Sequence, residues 1–136
     1  MARVVLTNAY VKINNVDLSD HVASVTITQN WDEVETTAFG QTGRTRTGGL
    51  EDSSIALDFH QDWAAGEVDA TIYPLVGGTA SFYITSQGTA VDSTNPKYTG
   101  NVLITQWTPI AGAVGDLSTV SVTWPVSGNV ARGTVV

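Results

Sequence analysis

Apolar residues in this chain recur at every second position, in short runs broken by glycine, asparagine and proline. That period confines most of it to strands. Ile55, Leu57 and Phe59 alternate with Ser54, Asp58 and His60. Phe82 and Ile84, then Val102 and Ile104, then Val120, Val122 and Trp124 repeat the pattern. Ala23, Val25 and Ile27, set against Ser24, Thr26 and Thr28, form another run, and Glu33–Ala38 alternates acidic and apolar positions. Tyr10–Ile13 leads into Asn14-Asn15, a pair that tolerates positive φ and suits a tight turn, with Val16–Asp20 as a short return strand and bend. A slip of one residue would turn each apolar set to solvent, so every register is specified.

One segment departs from period two. Ala64, Val68 and Ile72 stand four apart, which predicts one short helix over about 62–73. Asp62 is its expected N-cap, and Pro74 with Gly77-Gly78 its stop. Phe39–Gly49, Ser86–Pro96 and Pro109–Gly115 read as loops, and Ser127–Val136 has little pattern. The 136 residues favour a single domain over 1–136. The expected fold is mainly β, a β-sandwich or partly open barrel with one short flanking α-helix. A hydrophobic content of 42% is too high for a disordered chain, yet no apolar run reaches the roughly 18 residues of a spanning helix. The first eight residues lack the longer apolar stretch and cleavage site of a signal peptide, so synthesis in a cytoplasm is expected.

Enzyme chemistry finds little support. Cysteine is absent, which removes disulfides, thiolate nucleophiles and Cys-based metal sites together. Asp58, His60 and Asp62 share one strand parity, but a zinc site usually draws on more His or Cys. Asp17, Ser19 and His21 crowd one bend, whereas a triad needs convergence from separate segments. Turn-making is the expected use of Asp17, Ser19 and Asp20. Gly40 to Gly49 contains no phosphate-binding motif, and Arg44 and Arg46 read as solvent-exposed or as partners for a carboxylate on another subunit. The acidic pairs Asp32-Glu33 and Glu51-Asp52 lack calcium-loop spacing. No enzyme, cofactor or metal is expected. With thirteen acidic residues against six basic, a net charge of −7 also disfavours gripping DNA. Of the four tryptophans, Trp124 belongs with the core by parity and Trp63 is expected to anchor the helix. Trp31 and Trp107 interrupt or end strands and are the candidates for an interface, where aromatics are enriched.

The run Val11–Ile27, the segment Asp32–Gly40, the Arg44-Thr45-Arg46 loop and Leu50–Asp62 leading into Trp63 together resemble small tail tube (major tail) proteins of long-tailed bacteriophages, especially those of actinobacterial hosts. The resemblance covers roughly residues 10 to 75 in motif and the rest in element order. It implies a virion protein that closes into six-membered rings and stacks into the hollow tail tube through which DNA passes on ejection. Its partners would be itself, other tail proteins such as the tape measure and terminator, and DNA passing without specific binding. Such a protein is assembled in the host cytoplasm and resides in the virion tail.

Carried onto these positions, the resemblance makes Trp31 to Leu50 a long hairpin and loop, with Phe39, Arg44 and Arg46 beside Trp31 and Trp107 as subunit contacts. It turns Glu33, Glu35 and Thr37 towards the lumen, where acidic and small polar groups would let DNA slide by repulsion. The chain is short for that family, lacks the extra surface domain of many members, and has a compact Gly40–Gly49 loop. A head–tail connector or tail terminator ring, and a capsid decoration or carbohydrate-binding β-sandwich module, are the alternative readings.

Overall fold

A computed structural model describes residues 9–88, 91 and 94–134. The segment 1–8, read above for a leader, lies outside the described residues, as do positions 89, 90, 92 and 93 of the Ser86–Pro96 loop and the last two residues of the tail. Ten strands and one short helix follow in the order β1 (Tyr10–Ile13), β2 (Val16–Asp17), β3 (Val22–Thr28), β4 (Trp31–Glu35), β5 (Arg46–Glu51), β6 (Ser54–His60), α1 (Val68–Ile72), β7 (Thr79–Thr85), β8 (Lys97–Leu103), β9 (Thr119–Pro125) and β10 (Ala131–Gly133). Among the described residues they form a five-stranded sheet, β10-β8-β7-β1-β2, a three-stranded sheet, β3-β6-β9, and a separate β4–β5 hairpin, with no closed barrel. The mainly β class with one short helix is as the alternation predicts.

The alternating residues make the core. From the larger sheet Val11, Ile13, Ala80, Phe82, Ile84 and Val102 point inward. They meet Ile55, Leu57, Phe59, Val120, Val122 and Trp124 of the smaller sheet, all buried. Leu18, Val68, Ile72 and Ile104 join the same cluster. The Asn14-Asn15 turn has φ of 52° and 64°, the left-handed pair a two-residue hairpin needs, and it sets Ile13 opposite Val16. Asp17 Oδ1 accepts the Ser19 N–H at 2.9 Å, the turn-making expected of it.

Two elements differ from the sequence reading. In β3 the register shifts between Val22 and Ser24, so the inward set is Val22, Val25 and Ile27, while Ala23 is the extra, exposed residue of a bulge. The helix is shorter than 62–73, running from Val68 to Ile72 and tightening into a 3-10 turn over Tyr73–Leu75. Gly66, at φ +79°, interrupts it in the left-handed region. Asp62 caps the preceding turn through the Ala64 N–H at 2.9 Å, and the helix's own N-cap position, Glu67, makes no side-chain cap. Trp63 is 54% exposed rather than buried as the anchor of the helix.

Candidate functional site

The β4–β5 hairpin stands apart from the core: every residue from Thr28 to Gly48 is exposed. Its charged residues alternate, so register collects them on one face. Val34 pairs with Thr47 on one side, while Glu33 opposite Gly48 and Glu35 opposite Arg46 share the other. On that second face Arg46 pairs with Glu33, and Arg44 Nη1 reaches Glu35 Oε1 at 2.7 Å. Two arginines and two glutamates thus form a neutral ladder within one hairpin. Thr37 Oγ1 accepts the Thr45 N–H at 2.9 Å and Thr36 meets Thr45 hydroxyl to hydroxyl at 2.8 Å, so both threonines brace the open end.

At the tip Gln41 Oε1 accepts the Ala38 N–H at 2.6 Å and Gly40 takes φ +90°, leaving Phe39 fully exposed between them. Leu50, on the ladder's face by parity, is exposed as well, as are Trp31 and Val34. A bulge between Trp31 and Glu33 sets Trp31 opposite Glu51. Glu51 ties the base of the hairpin to the last strand region, since its carboxylate accepts Ser53 Oγ at 2.6 Å, Asn129 Nδ2 at 2.9 Å and the Val130 N–H at 3.0 Å. The Ser53 hydroxyl first, then the Val130 amide and Asn129, hold that carboxyl below the usual glutamate range, against a small opposing effect of burial.

Trp107, the other tryptophan expected at an interface, is half-buried against the molecule's own core. Its ring meets Phe59 edge-on at 6.2 Å, and its Nε1 donates to Asp69 Oδ1 at 3.2 Å. The structure therefore brings Trp31, Phe39, Arg44, Arg46, Glu33, Glu35 and Thr37 into one protruding element and places Trp107 elsewhere. Further exposed apolar residues that alternation did not single out, Ile110, Val114 and Leu117, lie on the connection between β8 and β9.

Of the residues weighed for catalysis, Asp17, Ser19, His21 and Asp62 have structural partners, whereas the buried Nδ1 of His60 has no hydrogen-bond partner among the described residues. Ser19 Oγ bonds Asp17 Oδ1 at 2.5 Å and accepts the Val11 N–H at 2.8 Å. His21 turns away from it, with Nε2 2.7 Å from Glu67 Oε2 and 3.3 Å from Asp62 Oδ2. Asp62 is thereby drawn off the Asp58–His60 face. Donor atoms of Asp20, His21 and Glu67 lie within 4.8 Å of one another, a set that could hold a cation. Spacing did not announce it, because Glu67 arrives from 46 residues along the chain. With His21 already in contact with Glu67 and Asp62, the arrangement also suffices as a clamp between the β2–β3 bend and the turn before α1. No helix among the described residues is long and apolar enough to cross a membrane.

No protein-family model matches the chain, and no curated protein does. Among solved structures, it is similar to a chain in the virion of a native gene transfer agent particle. The TM-score is 0.68 at 16% identity, over 92% of this chain and 95% of that one. It is also similar to a chain in the tail of an empty gene transfer agent particle, computed with helical refinement and C6 symmetry. There the TM-score is 0.61 at 17% identity, over 82% of this chain and 81% of that one. At such identities the likeness is one of fold, and it spans nearly the whole length of both partners in the first case.

Proposed function

We propose that this chain is a non-enzymatic structural subunit of a phage-like tail, closing with copies of itself into six-membered rings that stack into a tube for DNA. The observation that carries the reading is the shared fold with a chain of a C6-symmetric tail, over most of the length of both chains. A physical argument supports it. Outer edges of β2, β10, β3 and β9, and both edges of the β4–β5 hairpin, have no strand partner among the described residues. Such edges invite uncontrolled pairing, and a ring of heterologous contacts that closes on itself satisfies them. The hairpin, with Phe39 at its tip, is the element with the reach to touch a neighbouring ring.

Glu33 and Glu35 enter this reading differently from the simplest acidic lining. Each is paired with an arginine of its own hairpin, so this face would present DNA with alternating, balanced charge. Repulsion along a lumen would have to come from other carboxylates. Negative-stain electron microscopy of the purified protein across a concentration series tests the proposal. Hollow tubes with a regular axial repeat and six-fold cross-section are the expected result. Isolated rings that never polymerise would favour a connector or terminator, and monodisperse small particles at every concentration would favour a decoration or sugar-binding module.

A further inference from the structure

The β4–β5 hairpin and the β8–β9 connection leave the smaller sheet at opposite ends. The hairpin leads into Ser54, the first residue of β6, which faces Pro125, the last of β9. At the other end His60 faces Thr119, and the connection is pinned beside them. Gln61 donates its N–H to the Ser118 carbonyl at 3.0 Å and its Nε2 to the Pro109 carbonyl at 2.8 Å. About 20 Å of β6 separates the two attachment points. Both elements carry the same turn. Ala38-Phe39-Gly40-Gln41 and Ala113-Val114-Gly115-Asp116 share one pattern: Ala, a large apolar residue, Gly, then a side chain that can accept a hydrogen bond. In each, the fourth residue donates its N–H to the first carbonyl, at 3.3 Å and 3.1 Å. Its side chain accepts the first N–H in return, at 2.6 Å and 3.1 Å. The glycine of each sits at φ +90°, the left-handed conformation of the third position in such turns. These reciprocal bonds fix the corner and hold its apolar residue off the core. Phe39 and Val114 are the most exposed large apolar residues among the described ones. The second position of a turn accepts most residues, so the turn itself does not demand an apolar one there.

We infer that the two turns are the halves of one head-to-tail contact between copies, in which Phe39 of one copy packs on Ile110, Val114 and Leu117 of the next. The inference rests on the stacking of copies proposed above and supplies the surface that receives the hairpin. Charge selects the pairing. At the Val114 end Asp20, Asp62 and Glu67 gather about His21, Asp69 accepts from Trp107, and Asp116 closes the turn. Among the described residues no lysine or arginine forms an ion pair with any of them. Two such ends repel each other. The hairpin tip differs: Thr36 to Gly43 carry no charge, and the ladder behind them is balanced within itself. The tip is therefore an apolar surface that can approach the acidic end without like-charge repulsion. A contact between two tips would leave Ile110, Val114 and Leu117 in water. The head-to-tail contact covers both turns and, being heterologous along the axis, repeats from copy to copy.

The absence of cysteine in the whole chain makes the test direct. One batch of the full chain carries Ala38→Cys, beside Phe39, and a second carries Ala111→Cys or Ala113→Cys, beside Val114. The batches are mixed under mild oxidation and the disulfides are identified by peptide mass. Bridged Cα atoms must come within about 7 Å, so a bond between position 38 and position 111 or 113 reports the contact itself. These mixed bonds should outnumber like-with-like bonds by about tenfold or more. They should vanish when Val114→Ser and Leu117→Ser are added to the second batch. That double variant alters exposed side chains only, so its unfolding midpoint should match the parent's while its tubes are lost. Bonds mainly between two copies of position 38 would overturn the proposal in favour of a tip-to-tip contact. Normal tubes from Val114→Ser/Leu117→Ser would overturn it as well and leave the tube reading standing. The mixed bonds, in a protein that forms no tubes under electron microscopy, would uphold the contact and count against the tube. Neither bonds nor tubes would remove both.

Discussion

Single residues with similar sequence settings end in different physical states here, and their expected responses to mutation differ accordingly. Trp124 is fully buried, with Nε1 donating to the Gln106 carbonyl at 2.8 Å, whereas Trp63 is 54% exposed. Trp124→Ala should therefore cost about 3–5 kcal/mol in denaturant unfolding. Trp63→Ala should cost no more than about 1 kcal/mol. Strand parity with Val120 and Val122 made the first legible in the sequence. Nothing local revealed the second, because the exposure of Trp63 follows from Gly66 breaking the helix it was expected to start. Glu51 gives a pH prediction. Its folded carboxyl titrates below the ordinary value of 4.5 because Ser53, Val130 and Asn129 donate to it. A depressed carboxyl contributes stability that is present above the unfolded pKa and lost as pH falls through the folded one. Thermal melts of Glu51→Gln against the parent should differ most above about pH 5 and converge as pH drops below 4.5. A difference independent of pH would assign Glu51 a packing role alone. Two of the three partners of Glu51, Asn129 and Val130, lie 78 and 79 residues away in the chain, which is why no spacing pointed to them.

At the level of elements, what period two could convey was conveyed: the inward faces of β6 and β9 match their alternation residue for residue, and β7 departs from it only at its last residue, the buried Thr85. Misreadings fall where a local device overrides the period. The β3 bulge moves Ala23 out and brings Val22 in, and Gly66 truncates the helix. The hairpin shows a third kind of limit. Alternation of Glu33 and Glu35 was visible, but which cations face them depends on cross-strand register, and that register pairs them with Arg46 and Arg44 of the same chain. Reversing both arginines to Glu puts four carboxylates on one exposed face. Exposed pairs of this kind are worth little individually, so global unfolding should move by only about 1 kcal/mol while hairpin amides exchange faster. Tube formation should be lost. The quadruple exchange, adding Glu33→Arg and Glu35→Arg, restores the ladder with inverted order and should restore hairpin protection. If tubes return with it, the arginines act by shaping the hairpin. If protection returns without tubes, Arg44 and Arg46 themselves contact the neighbouring subunit.

For the molecule as a whole, the balance between attraction and repulsion decides whether copies associate. Because the ladder is neutral within itself, the net charge of −7 resides on the remainder of the chain, and any two copies repel over the Debye length. That length falls from about 30 Å at 0.01 M salt to about 8 Å at 0.15 M. Against it stand apolar contacts, which salt does not screen, and among the described residues the most exposed large apolar side chain is Phe39 at the hairpin tip. Assembly should accordingly strengthen with ionic strength: sedimentation across a salt series should show the critical concentration falling between 0.01 M and 0.15 M. Phe39→Ser removes the apolar tip without touching the core, so it should leave unfolding within about 0.5 kcal/mol of the parent and abolish tubes at every salt concentration. The reverse salt dependence, tubes dissolving as salt rises, would mean that ion pairs between copies outweigh the apolar tip. In that event Phe39→Ser would assemble normally, and the cohesive contact would have to be sought among the charged residues outside the ladder.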